Sequence, residues 1–144
     1  IRLLLGAPDV TLAAPRQHRI KVQFGGDAGP DLEAVATLLG LSTAAFIAAH
    51  TARPLRVLTT GFAPGFVYCG FHPEAMVVPR RRAIRPSVPP GTLLFAAGQS
   101  AITATTLPTG WHVIGRTGFR NFDAAKDPPT LLREGDEVTF ESQQ

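Results

Sequence analysis

The segment Gly61–Gly70, GFAPGFVYCG, constrains this chain more than any other. Three glycines and a proline alternate with three aromatics and a cysteine. A plain strand does not tolerate that density of Gly and Pro. A plain loop does not spend Phe62, Phe66 and Tyr68 on solvent. A second stretch, Gly110–Asp123 (GWHVIGRTGFRNFD), repeats the mixture and adds two arginines, a histidine and a carboxylate. Two readings fit both stretches. They are glycine-kinked corners of a small β-barrel with the aromatics as core, or they are the walls of a ligand pocket.

The 144 residues suit one domain with a sizeable core, and 44% hydrophobic content makes it globular. No apolar run reaches the roughly 18 residues that span a membrane. Ile1–Gly6 is too short for the apolar region of a signal peptide. The single cysteine, Cys69, excludes an internal disulfide and a thiolate zinc cage. These features point to a cytoplasmic protein. The start at Ile1, without an initiator methionine, is expected of a piece of a longer protein. Ile1–Gln17 has no clear period and reads as a linker, or as the tail of a missing N-terminal domain. The domain proper is expected to run over 18–144.

Alternation in His18–Phe24 places Ile20, Val22 and Phe24 on one face and predicts a half-buried strand. Pro30–Gly40 predicts a helix with Leu32, Val35, Ala36 and Leu39 on its inner face and Gly40 at a left-handed cap. Asp27 or Asp31 is expected to cap it. Ser42 can N-cap a second helix to about Thr51, with Phe46 and Ile47 inward. Leu55–Thr60 reads as a strand entering the glycine-rich corner. Later strands are expected at Gly91–Ala97, Ser100–Thr106, Trp111–Arg116 and Glu137–Glu141. Short strands punctuated by Gly and Pro, after two helices, suggest a barrel with a helical insertion.

The helix pair mimics a helix-turn-helix, whose second helix enters the major groove. That helix needs Arg, Lys, Asn or Gln to read base edges, and Ser42–Ala49 (STAAFIAA) offers none. The pair contains no Lys or Arg and carries Asp31 and Glu33, so a packed helical hairpin is expected. The net charge is +3 and the pI about 9.8. Arg80–Arg82 with Arg85 form the only cationic cluster. No aromatics interleave with it as a stacking platform requires, and a solvated Pro-rich connection or a subunit contact is preferred.

No HxxxH spacing occurs and no metal is expected. No GxSxG elbow surrounds a serine. Cys69 has no nearby cation to lower its pKa and reads as a buried, inert thiol. Gly25–Gly29 resembles a phosphate loop, but no GKS or GKT follows and Asp27 and Asp31 would repel phosphate. His50 is either a protonated C-terminal cap on the helix dipole or a polar pocket residue. Gln99 can offer donor and acceptor to an amide. Arg116 can grip a carboxylate, or pair with Asp123 or Asp136.

The ordered strings FGGDAGPDL (24–32), GFAPGFVYCG (61–70), VPRR (78–81), VPPGTLLFAAGQ (88–99), GWHVIGRT (110–117), FD (122–123) and PPTLLREGDEVTF (128–140) resemble the KipI family. That family is also called allophanate hydrolase subunit 1, or the B-type subunit of 5-oxoprolinase. The resemblance covers roughly 18–141. It implies a mainly β fold, a cyclophilin-like closed β-barrel with a two-helix insertion near the N-terminus. It also implies a homologous second subunit of the KipA or allophanate hydrolase subunit 2 type, and a possible LamB/YcsF-type subunit. Members act in ATP-dependent opening of 5-oxoproline; another inhibits a sporulation histidine kinase.

On this reading the chain is a non-self-sufficient subunit of an ATP-dependent amide-bond hydrolase complex. It would contribute part of a composite pocket for a small amide. The candidate pocket residues are His50, Phe62, Phe66, Tyr68, Gln99, Trp111 and Arg116. ATP would be used by the complex and no cofactor bound by this domain alone. The alternative is a regulatory module that inhibits a sensor histidine kinase. No nucleic-acid or membrane partner is expected. Accordingly, the protein should show no sequence-dependent retention of duplex DNA at about physiological salt, where weak non-specific binding is suppressed. A gel-shift with random and defined duplexes checks this, and a sequence-dependent shift would refute it.

Overall fold

The computed structural model describes residues 15–127 and 130–143. Most of the Ile1–Gln17 segment and the Pro128–Pro129 pair therefore lie outside the described residues. Seven strands close into a barrel in the order β1-β8-β5-β6-β3-β2-β9. They are β1 (Gln17–Phe24), β2 (Leu55–Thr60), β3 (Val67–Gly70), β5 (Thr92–Ala96), β6 (Gln99–Ile102), β8 (His112–Arg116) and β9 (Glu137–Ser142). All neighbours are antiparallel except β1 and β9, which run parallel from Gln17↔Glu137 to Val22↔Ser142. Two strands, β4 (Arg85–Val88) and β7 (Leu107–Thr109), form a separate sheet. Helices α1 (Leu32–Leu38) and α2 (Thr43–His50) separate β1 from β2. The mainly β closed barrel with an early two-helix insertion is thus the observed fold.

Period-2 alternation divides the barrel into two apolar layers. Ile20, Val22, Val57, Val67, Cys69, Leu93, Phe95, Ile102, Ile114, Val138 and Phe140 fill the interior. Leu94, Ala101 and Val113 point outward and pack with Phe66, and with Val88 and Leu107 of the small sheet. The small sheet is therefore a flap over one outer wall. Pro86 and Pro108 mask both of its strands in the sequence pattern. Each removes an N–H, which a two-stranded edge ladder with a register irregularity tolerates. The Gly61–Gly70 segment is also more strand-like than its composition predicts. Its second half is β3, paired on both sides to β2 and β6. Only Gly61–Phe66 is a corner. Gly65 has φ +72, and a Cβ there would sit 2.6 Å from Phe122 Cβ and 2.7 Å from Ala104 Cβ.

Both helices form where expected, α1 shorter than its pattern. Its end is a left-handed glycine cap: Gly40 has φ +72, Leu41 N–H donates to Ala36 O at 2.8 Å, and Gly40 N–H donates to Thr37 O at 3.0 Å. Ser42 Oγ accepts from Ala45 N at 3.0 Å and caps α2. The axes turn through 88°, and α2 sends Phe46 and His50 into the barrel end. The exposed positions of α2 are Ala44, Ala45 and Ala48, so the helix presents no base-reading side chain. No helix among the described residues is long and apolar enough to cross a membrane.

The expected side-chain cap on α1 is absent, and this is a correction. Asp31 stands at the N-cap position but makes no capping bond. Its carboxylate turns to β8, accepting from Val113 N–H at 2.8 Å, and to Arg85, accepting from Nη2 at 2.5 Å and Nε at 3.2 Å. Arg81 Nε lies 3.7 Å away. Burial alone would raise the Asp31 pKa. The bonds from Arg85 and Val113 and the charges of Arg85 and Arg81 outweigh it, and the group lies below its usual value. The backbone shares this attachment. Gly25 N–H donates to Ile114 O at 3.2 Å, and Asp31 N–H donates to Val113 O at 2.9 Å. A Cβ on Gly29 would collide with Ile114 O. The phosphate-loop-like glycines are thus a close seam between loop and strand.

Asp31→Ala should cost about 2–3 kcal/mol at neutral pH. It strands a buried N–H, worth roughly 1–3 kcal/mol. It also unpairs Arg85, whose 30% side-chain exposure keeps the penalty below that of a fully buried pair. Urea denaturation measures it. A loss under about 0.5 kcal/mol would show that the network is dispensable.

Candidate functional site

A groove of about 170 Å³ lies on the outer wall of the barrel, at the open side of the flap. Its floor comes from Tyr68 of β3, Leu94 of β5 and Phe66 at the end of the corner that leads into β3. Its walls are Leu107 and Pro108 on one side and Trp111 on another, with Phe62 at the rim. Phe62, Phe66 and Tyr68 stack edge to face, with centroids 5.2 Å and 4.8 Å apart, and Trp111 faces Tyr68 at 5.7 Å. Thr109 and Arg80 bring polar atoms to this apolar cup. Thr109 Oγ1 accepts from Trp111 N–H at 3.0 Å and fixes the turn that carries the indole. An engineered apolar cavity of about 150 Å³ holds one benzene, so the groove has room for one small ring. Phe62 and Ile84, 68% and 69% exposed, stand beside it without cover. Ile84 lies against Gly110, which lines the groove.

Four of the residues expected at a pocket meet here: Phe62, Phe66, Tyr68 and Trp111. The other three do not line the groove. Gln99 is half-buried and opens β6 after the Ala97–Gly98 turn, where φ is +53 and +78. It shares the outer face with Tyr68 but sits beside Gly70, further along the sheet. Arg116 is exposed at the far end of β8 from Trp111. Neither of its expected carboxylate partners claims it: Asp136 pairs with Arg16 and His18. Arg80 and Thr109 join the groove without having been expected there. Thr109 carries no signal in the sequence, and Arg80 is indistinguishable there from the rest of its cluster.

His50 is inside the barrel, 1% exposed. Its Nε2 lies 2.7 Å from Ser100 Oγ, which lies 2.8 Å from His72 Nε2. The rings of Phe24, Phe46, Phe95 and Phe140 surround His50. Burial, then the neighbouring His72, hold the His50 pKa well below its usual value. Burial, then the charge of Arg53, bring His72 down to about 4. The geometry goes against the expected cap: His50 is buried among aromatic rings with its pKa pushed down, and the α2 C-cap is Thr51. Ser100 has one proton to share between two imidazoles. His50 Nδ1 has no partner, and a bare lone pair costs less than a bare N–H. This favours His50 Nε2–H donating to Ser100 and Ser100 donating to His72. The cluster is a polar plug in an apolar core, with no access for a substrate. Cys69 is equally closed off: burial pushes its thiol up to about 12, so it is inert as expected.

Known proteins of similar sequence and fold agree with one another. The family profile described as "Carboxyltransferase domain, subdomain C and D" matches residues 2–132. The B-type 5-oxoprolinase subunit of Bacillus subtilis (strain 168) is 41% identical over 121 residues, 84% of this chain and 50% of that protein. The protein of the same name from Escherichia coli O157:H7 is also 41% identical over 121 residues, covering 84% of this chain and 56% of that protein. The chain thus spans about half the length of the curated relatives it matches. Among solved structures, the conserved uncharacterized protein PH0987 from Pyrococcus horikoshii superposes with a TM-score of 0.84 at 38% identity, over 89% of this chain and 59% of that one. The Kluyveromyces lactis urea carboxylase shares the fold alone, with a TM-score of 0.73 at 14% identity over 90% of this chain and 14% of that one.

The buried histidines make stability depend on pH with a definite sign. Both are held neutral in the folded state, while the unfolded chain protonates them near 6.5. Their contribution is complete above pH 6.5 and is lost as pH falls toward about 4, the folded value of His72. Each proton taken up on unfolding tilts stability by about 1.4 kcal/mol per pH unit. The urea midpoint should therefore fall steadily from pH 7 to pH 5, and His72→Asn should reduce that slope by about half. A midpoint unchanged across this range would contradict the neutral assignment.

Proposed function

The chain belongs to the family of carboxyltransferase domains, subdomains C and D, and on that premise we propose that it is a non-self-sufficient subunit of an ATP-dependent amide-bond hydrolase complex of the 5-oxoprolinase type. Its contribution is half of a composite pocket, and a KipA-type second subunit closes the other half. ATP is consumed by the assembled complex, to which a LamB/YcsF-type subunit also belongs. The observation that carries this reading is the groove itself: an aromatic cup on the outer wall, open on one side and flanked by uncovered Phe62 and Ile84. Large exposed apolar side chains beside a pocket mark a surface meant to be covered. The names of the relatives supply the chemistry.

The groove's own residues bind and orient rather than cleave. Phe66, Tyr68 and Trp111 hold the flat face of a small ring and displace water. Closing the cup with a partner lowers the local dielectric, and each polar contact inside then counts for more. The scissile amide is presented toward the open side, where the second subunit supplies the reacting groups.

The full-length protein assembled with its second and third subunits should hydrolyse ATP in response to 5-oxoproline, and the purified protein alone should not. Trp111→Ala should lower turnover at least about tenfold while gel filtration shows an intact complex, because it removes one wall of the cup that orients the ligand. Turnover by the protein alone would overturn the subunit reading. Wild-type turnover in the Trp111→Ala complex would move the pocket elsewhere.

A further inference from the structure

We propose that Arg80 is the specificity-determining residue of this groove, the one that anchors the ligand's carboxylate and sets the preference for an acid over its neutral amide. The inference rests on the reading of the groove given above and adds the residue that reads the ligand's charge.

Arg80 is the one charged residue among those lining the cup. Two of its neighbours in the arginine cluster are already committed. Arg85 holds the Asp31 carboxylate through two bonds, and Arg81 sits 3.7 Å from the same group. Both turn beneath the flap and serve the fold. Arg80 takes no part in the ion pairs found among the described residues. It is nonetheless well placed. His112 Nε2–H donates to Pro79 O at 2.9 Å, and Arg81 N–H donates to Gly110 O at 2.8 Å. The residues on either side of Arg80 are thus tied to the residues on either side of Trp111. Its backbone is pinned at the rim, and its side chain has no partner among the described residues.

An unpaired guanidinium over an aromatic cup has a definite preference. A planar fork with five donors matches a carboxylate in bidentate fashion. No acid lines the cup to neutralise it. Once a partner covers the groove, an occupant without a negative charge would leave Arg80 desolvated and uncompensated, which is costly. A dianion would leave one charge unmatched. The volume of about 170 Å³ admits one ring and its substituent. A ring bearing one carboxylate, as the proposed substrate does, therefore meets both the cup and the guanidinium.

The test compares 5-oxoproline with its neutral carboxamide on the assembled complex of full-length subunits, by calorimetric titration and by KM. Wild type should prefer the acid at least about tenfold, as loss of a charge-assisted bidentate contact implies. Arg80→Gln should erase that preference, by weakening the acid and leaving the carboxamide unchanged. Arg80→Lys should restore part of it. Arg82→Gln removes the same charge from an exposed site outside the groove and should leave the preference intact. If Arg80→Gln keeps the preference, or if wild type binds both compounds equally, the anchor is wrong while the groove stands. If Trp111→Ala leaves both the binding and the turnover of 5-oxoproline at wild-type values, the groove reading falls and Arg80 with it.

Discussion

One carboxylate holds three parts of this molecule in register. Asp31 stands where the glycine loop becomes α1, yet its oxygens belong to β8 through Val113 and to β4 through Arg85. The loop–strand seam, the barrel wall and the flap meet at this residue. The stretch from Arg81 to Arg85 reaches the barrel through it, and that stretch borders the aromatic groove. A partly buried acid can organise so much because it accepts from a backbone N–H as well, and because both nearby cations are arginines. Its depressed pKa is the electrostatic record of that arrangement.

The barrel wall separates two kinds of surface. The inner face is closed and plugged by α2, with Ser100, His50 and His72 as a small polar island among aromatics. The outer face under the flap carries a second apolar layer, which stops short of complete coverage. The groove lies where coverage ends. Substitutions inside disturb packing density and the whole fold, and so do those at Phe66 and Leu94 on the groove floor, whereas the exposed rim at Phe62 and Arg80 can change at less cost to the fold.

Much of this was legible in the chain. The alternation in β1, the glycine cap after α1, Ser42 and the inert Cys69 follow from local rules that tertiary contacts did not override. The aromatics at Phe62, Phe66, Tyr68 and Trp111 converge because their flanking glycines bend the backbone toward one wall. What escaped depended on long-range partners. β4 and β7 each carry a proline and exist only as each other's complement. Asp31 has the look of a local cap because its true acceptor role is answered from 54 and 82 residues away. His50 has the look of a polar group near a surface, since nothing local says that a helix end will be driven into a barrel. The arginine cluster is uniform in sequence, and only the fold separates Arg81 and Arg85, which bind an acid, from Arg80.

The parallel pairing of β1 with β9 has a mechanical meaning. Six consecutive residue pairs tie these strands, and because they run the same way, Gln17 and Ser142 lie at opposite ends of the ladder. Tension applied between those two residues therefore loads the rungs together, in shear, instead of opening them one by one. A tether on either side of the barrel would transmit force through its strongest direction. A pull along that line meets the whole seam at once rather than its last rung.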